Sequence, residues 1–186
     1  MLTMESRPKE EANKSSRIHE TWTRPPRDIL KVNCDGAFFA ETKTGSWGFV
    51  IRGHNGHAVV ARSSSLRAVH NADCAEAQAC IVALQAASSH GMGKIILETG
   101  SMNTMSALLL DERDLFPASV LYKEVGELIS LCFVSVQIVH CPRSCNRSAH
   151  ELARLSLDWD PDQPHVWLDP LPSFVSDILV HDSAPV

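Results

Sequence analysis

One carboxylate of this sequence lies in the middle of a predicted strand, where its charge needs a partner. Asp35 belongs to the run 31–39, in which Val32 and Cys34 are apolar and Gly36 leaves the backbone open to close approach. Burying a charge there costs free energy unless it is paired or holds a metal ion. The run therefore predicts either a paired or metal-binding carboxylate, or an Asp that starts a turn at the end of the strand.

A second group of side chains with ligand chemistry lies near residue 145. The thiol and imidazole types that zinc prefers occur there at His140, Cys141, Cys145 and His150. The Cys-x3-Cys spacing has no second cysteine pair, which favours loop thiols and a histidine on a helix face over a zinc site. Three arginines in the same stretch form a solvated face or contact phosphate: Arg143, Arg147 and Arg154.

Length and composition describe a globular chain. It has 186 residues, of which 44% are hydrophobic and 21% charged, enough for one domain with a real core. The formal net charge of −5 argues against strong non-specific binding of nucleic acid through bulk charge, but it permits a local basic patch. We find no secretory signal and no membrane-spanning run, so we expect a cytoplasmic or nuclear protein with reduced cysteines and no membrane partner.

The apolar periodicity predicts the elements that would position these side chains. Asn55-Gly56 has the turn chemistry of a hairpin, Asp73 is the expected N-cap of the first helix, and Asn146 that of the last. In chain order we predict strands over 31–39, 45–52 and 58–63, a helix over 73–89, a strand over 94–99, helices over 101–110 and from Pro117 to about 131, a strand over 132–139 and a helix over 146–155.

This order predicts an α/β fold with a five-stranded mixed sheet and flanking helices. Three strands form an antiparallel meander, and two more are reached by helical crossovers, which favour parallel pairing. Residues 1–20 are polar and predict a mobile leader, 21–156 the domain, and 157–186 a Pro- and Trp-rich C-terminal arm with one short helix.

Four short motifs fall on the first strand, the first helix, the fourth strand and the last helix. They are Asn33-Cys34-Asp35-Gly36-Ala37, Ala75-Glu76-Ala77-Gln78-Ala79, Leu97-Glu98-Thr99-Gly100-Ser101 and Asn146-Arg147-Ser148-Ala149-His150-Glu151-Leu152-Ala153. In this order they resemble the ribonuclease H family, most closely its plant retrotransposon-type, reverse-transcriptase-associated domains. The Trp-Pro-Pro lead-in over 22–26 and the Trp and Pro tail over 167–172 are similar too, so the resemblance covers about residues 21–180.

The resemblance implies an activity and a set of site residues. In the family, acidic side chains hold two Mg²⁺ (or Mn²⁺) ions that hydrolyse the RNA strand of an RNA/DNA hybrid. Asp35 and Glu76 carry over as catalytic metal ligands, and His150 occupies a catalytic position on the last helix. The implied substrate-binding residues are Gly36, Asn71, Arg143 and Asn146. We expect a monomer that binds RNA/DNA hybrid or other nucleic acid by its groove width and 2′-hydroxyls.

Two positions depart from the family pattern. Gly100 stands where the fourth strand has an Asp, and His150 stands where the last helix has an acid; imidazole is a poor Mg²⁺ ligand. Glu98 is a candidate compensating carboxylate, although two residues of a strand displace it by about 6–7 Å. We therefore expect weak binding of a single Mg²⁺ ion and a weakened ribonuclease.

Two alternatives of another class remain open at this point. One is a catalytically inactive, retroelement-derived domain that binds nucleic acid or protein, which the glycine at position 100 favours. The other is a module that binds a protein partner through its acidic surface, which the net charge of −5 would permit. Binding of a hybrid that weakens as salt concentration rises would distinguish the nucleic-acid-binding hypotheses from the protein-binding module.

Overall fold

The computed structural model describes residues 21–110, 118–168 and 170–183; the predicted leader over 1–20 and the helix start at Pro117 lie outside them. The strands are β1 Leu30–Phe39, β2 Thr44–Arg52, β3 Ala58–Leu66, β4 Lys94–Thr99, β5 Ser135–His140 and β6 His165–Leu168. The helices are α1 Ala72–Ser89, α2 Met102–Leu109, α3 Ser119–Cys132, α4 Arg147–Leu155 and α5 Ser173–Ser183. Among these helices, none is both long and apolar enough to cross a lipid bilayer.

The strands form one mixed sheet in the order β5-β4-β1-β2-β3-β6. The antiparallel meander β1-β2-β3 and the parallel pairing of β4 and β5 are confirmed. The prediction of five strands is wrong, because β6 adds an antiparallel sixth strand to β3, with Trp167 opposite Ala61. Its four residues lie between Pro164 and Pro170, and a run that short between prolines gives no clear strand pattern.

Alternating side chains of the central strands build a separate core on each face of the sheet. Phe49 and Ile51 of β2 belong to the larger core, which α1 and α3 cover. Val50 points the other way and packs with Leu152 of α4 and Val175 of α5. The sheet is therefore held between two layers of helices, and β1 at its centre is covered by α1 on one side and α4 on the other.

The local signals at turns and caps were partly predictive. The hairpin at Asn55-Gly56 is confirmed, with Gly56 at a φ of 84°. The N-cap of α1 is Asn71 rather than Asp73, since the Asn71 side chain accepts a hydrogen bond of 2.9 Å from the Cys74 N–H. Asn71 has the extended backbone that an N-cap requires (φ −160°), which places Asp73 inside the first helical turn.

Candidate functional site

A pocket of about 400 Å³ opens beside the central strand, between β1, the start of α1 and the start of α4. Its walls are Asp35, Gly36, Ala37, Phe38, Glu76, Gly100, Arg143, Asn146 and His150. The fold thus brings together six of the residues predicted for the site, from positions more than a hundred residues apart. Asn71 and Glu98 are not among the described residues that line it.

Gly36 brings α1 against β1 by its lack of a side chain. A Cβ at this position would lie 2.4 Å from the carbonyl carbon of Ala75 and 2.5 Å from the backbone nitrogen of Glu76. No side chain fits in that space without a shift of the helix backbone. The Gly36 N–H donates to the Glu76 carboxylate. The predicted close approach at Gly36 is therefore made by a helix of the same chain, and it carries Glu76 to the side of Asp35.

Glu76 is a buried carboxylate with incomplete hydrogen bonding. Among the described residues its Oε2 has no hydrogen-bond partner. Burial, and then the negative charge of Asp35, raise the pKa of Glu76 well above its usual value, and the Gly36 N–H only partly opposes them. An unpartnered buried oxygen beside a second carboxylate is an arrangement that a cation would stabilise.

Asp35 has a partner inside the protein. The Nδ1 of His150 donates to its Oδ2 at 2.9 Å, and both side chains are largely buried, with 17% and 14% of their area exposed. The exposed Arg143 lies behind the imidazole, with its Nη2 2.5 Å from His150 Nε2. Because a guanidinium only donates, this contact requires Nε2 as its acceptor, which fits a proton on Nδ1 that is donated to Asp35. The contacts form a chain from the carboxylate to a cation at the pocket rim.

Asn146 fixes the start of α4 on the central strand. Its Nδ2 donates to the Cys34 carbonyl at 2.9 Å, and its Oδ1 accepts from Asn33 Nδ2 at 3.2 Å. Asn146 occupies the N-cap position of α4, but its side chain makes no capping hydrogen bond because its amide is used by β1. Sequence reasoning missed Asn33 as a supporting residue; its signal is a polar side chain two positions before Asp35, on the same face of the strand.

Glu98 is engaged elsewhere. Its Oε1 lies 2.7 Å from Lys31 Nζ, and its Oε2 accepts from Asn33 Nδ2 at 2.8 Å. Lys31 and Glu98 are both buried, and Arg52, fully buried as well, donates to the Oδ1 of Asn33 at 2.9 Å. A metal ion in the pocket would have to take Glu98 from these partners, so the geometry does not favour it as a compensating carboxylate.

Gly100 leaves room for a Cβ at the position where the family pattern has an Asp. A Cβ built there would lie 3.8 Å from Asp35 Oδ1 and 3.7 Å from Asn146 Nδ2, which is ordinary van der Waals contact. The φ of Gly100 is not in the left-handed region, unlike those of Gly56 and Gly91. Neither space nor backbone conformation therefore requires glycine here, in contrast to Gly36.

The donor set suits one hard cation better than two. Within the described ranges, no cluster of three or more His, Cys, Asp and Glu side chains has the geometry of a metal site, and this includes the zinc alternative at residues 140–150. Mg²⁺ commonly binds through one or two protein carboxylates and completes its shell with water and substrate phosphate. The pair Asp35 and Glu76, with its unpartnered oxygen, fits that mode.

Comparison with known proteins gives a family and a set of similar folds. A family model described as reverse transcriptase-like matches residues 33–156. The N-terminal RNase H domain of Rv2228c from Mycobacterium tuberculosis, solved as a maltose-binding protein fusion, has a TM-score of 0.63 at 20% identity, over 70% of this chain and 94% of that chain. RNase H1 from the archaeon Halobacterium salinarum NRC-1 has a TM-score of 0.59 at 26% identity, over 70% and 98%.

A third similar structure contains a nucleic acid. It is LC11-RNase H1 in complex with an RNA/DNA hybrid, with a TM-score of 0.60 at 17% identity, over 69% of this chain and 96% of that chain. A search of curated proteins found no match. The matched folds are ribonuclease H domains, and the family model spans every residue of the pocket described above.

Proposed function

The chain belongs to the reverse transcriptase-like family, and we propose that it is a ribonuclease H-type domain that binds RNA/DNA hybrids and hydrolyses the RNA strand slowly. The observation that carries the proposal is the pocket in which Asp35 of the central strand meets Glu76 of α1, with Arg143 at its rim. One similar structure holds an RNA/DNA hybrid on a ribonuclease H fold, which supports the choice of ligand.

The residues of the pocket have different roles in binding and hydrolysis. Arg143 is exposed and charged, and a guanidinium binds a phosphodiester through paired hydrogen bonds. Asp35 and Glu76 would hold Mg²⁺ or Mn²⁺, which would supply Lewis-acid stabilisation of the phosphodiester under attack. Gly36 and Asn146 position the two elements that carry these side chains, through the close helix approach and the bonds to β1.

The same geometry supports a slow reaction. The family pattern has further acids at the positions of Gly100 and His150, and both are absent here. His150 instead donates a hydrogen bond to Asp35 and competes for the oxygen that a metal ion would need. Less negative charge in the pocket means weaker attraction for a second cation, so we expect one weak Mg²⁺ site in the free protein.

The lead-in and tail of the chain support a plant retrotransposon-type origin. Trp22 is buried and covers the Arg52 guanidinium at 3.6 Å from its ring centroid, and Trp167 lies in β6. Both tryptophans fall outside the matched range 33–156, yet both pack on the sheet. We infer that these motifs belong to the same inherited unit as the pocket.

Cleavage of a labelled hybrid tests the proposal. The RNA strand of an RNA/DNA hybrid carries a 5′ label, and products are followed with Mg²⁺, with Mn²⁺ and with EDTA, beside fluorescence anisotropy for binding. We expect binding in all three conditions and slow cleavage that EDTA and Asp35→Asn abolish. Binding without metal-dependent cleavage would instead identify the inactive nucleic-acid-binding domain, and the absence of binding would overturn the proposal.

A further inference from the structure

A second groove adjoins the pocket along one face of α4. Arg147, His150, Glu151 and Arg154 are spaced i, i+3, i+4 and i+7 and therefore lie on a single face of this helix. With Arg143 and Ser144 of the preceding turn, they line a groove of about 400 Å³. Arg143 and His150 line both spaces, so the groove continues directly from the carboxylate pocket.

The groove is positively charged on a protein that is negative overall. Its three arginines are exposed, and Glu151 is the single acid among its lining residues. Within the part of the chain that the structure describes, Arg147 and Arg154 make no ion pair. The groove is lined by three arginines and one glutamate, whereas the whole chain has a net charge of −5. Such a local reversal of sign attracts an anionic partner.

The start of α4 adds to the attraction for anions. Asn146 occupies the N-cap position without capping, since its amide is bound to Asn33 and Cys34. Asn146 thus gives α4 no side-chain cap, and the positive end of the helix dipole faces the turn that carries Arg143 and Ser144. Arginines and a helix N-terminus together provide the donors that phosphate oxygens accept from.

We propose that this groove binds the sugar-phosphate backbone of the strand that occupies the carboxylate pocket, beyond the phosphodiester held there. The proposal rests on the proposed function, because it takes the pocket as the place where that strand lies. The shared Arg143 contacts the phosphate at the junction, and Arg147 and Arg154 contact phosphates further along the strand. The contacts carry no base information, so the groove sets affinity and register without sequence preference.

The salt dependence of hybrid binding tests this surface. Dissociation constants of the full chain for a labelled RNA/DNA hybrid are measured over a range of salt concentrations for wild type, Arg147→Ala/Arg154→Ala and Arg27→Ala. Arg27 is exposed, has no ion pair among the described residues and lines neither the pocket nor the groove, so it controls for the loss of a positive charge outside this surface. Each lost phosphate contact lowers the slope of log K against log salt by about 0.9.

We expect the double variant to bind the hybrid roughly tenfold more weakly than wild type. Its slope of log K against log salt should fall by the equivalent of about two phosphate contacts, while both values for Arg27→Ala should stay near wild type. Arg147→Lys/Arg154→Lys keeps the charges and should recover most of the slope. If the double variant has the same affinity and salt slope as Arg27→Ala, the proposed backbone-binding role of the groove is overturned and the proposed function stays intact. Wild-type protein that bound no hybrid would overturn both.

Discussion

The Nδ1 of His150 donates to the Oδ2 of Asp35 over 2.9 Å and so joins the last helix to the central strand. Asp35 therefore has an internal hydrogen-bond partner in the pocket without any metal ion. Glu76, beside it, has a buried oxygen without such a partner in the described part of the chain. The two carboxylates of the pocket thus differ in what they gain from a cation.

The contact between His150 and Asp35 should be measurable as a coupling energy. A double-mutant cycle with His150→Ala and Asp35→Ala, followed by denaturant unfolding in EDTA, should give a coupling of about 1–2 kcal/mol, because the hydrogen bond has a charged acceptor and is largely shielded from solvent. Saturating Mg²⁺ should reduce the coupling, since a cation then also binds Asp35. A coupling near zero in EDTA would contradict the contact.

Glu76→Gln should stabilise the metal-free protein at neutral pH. Burial and Asp35 raise the pKa of Glu76, so its charged form costs stability in the folded state, and the melting temperature in EDTA should rise by roughly 2–4 °C. The raised pKa means that the folded protein binds a proton before the unfolded chain does as pH falls. The advantage of the variant should therefore shrink as pH falls through the folded-state pKa of Glu76. An advantage that does not change with pH would contradict this.

Glu98→Gln should destabilise the fold and leave metal dependence unchanged. The substitution leaves Lys31 as a buried cation without its anion, which costs about 3–5 kcal/mol in denaturant unfolding. Lys31→Met combined with Glu98→Gln should recover part of the loss. If Glu98 instead serves as the compensating carboxylate, Glu98→Gln will need a higher Mg²⁺ concentration for hybrid cleavage. That result would contradict a purely structural role of Glu98 as the partner of Lys31.

Two glycines of the pocket should respond differently to the same substitution. Gly36→Ala places a methyl group 2.4 Å from the backbone of Ala75 and should cost about 1–3 kcal/mol or more, because α1 has to move. Gly100→Ala meets only ordinary contacts and should change the free energy of unfolding by less than about 1 kcal/mol. Equal effects of the two alanines on unfolding would show that the helix approach at Gly36 is not tight.

Much of the site was predictable because its residues lie on elements with strong local signals. Asp35 lies in an apolar strand pattern, Glu76 lies in a long run of apolar and helix-forming residues, and crossover rules place β4 parallel to the central strand. That topology alone brings the ends of β1 and β4 and the starts of α1 and α4 to one place. The family resemblance then gave roles to the residues that meet there.

The remaining features depend on long-range contacts that no local pattern encodes. The parallel register sets Asn33 opposite Glu98, and this pairing decides that Glu98 binds Lys31 and Asn33 rather than the pocket. The unused cap of α4 has the same origin, since the Asn146 amide is bound to β1 instead. The sixth strand forms because β6 pairs with the edge of β3, and the four residues of β6 have no local pattern that predicts this pairing.

Hybrid cleavage by Gly100→Asp tests directly whether a missing carboxylate limits an otherwise assembled site. A Cβ at position 100 meets only ordinary contacts beside Asp35, so we predict that the Mg²⁺-dependent rate rises roughly tenfold or more, and further with His150→Asp. Gly100→Asn, of equal size and without the charge, should stay at the wild-type rate. Adding Asp35→Asn to the repaired protein should abolish cleavage. A wild-type rate equal to that of Gly100→Asp, or equal gains from Asp and Asn, would contradict the claim.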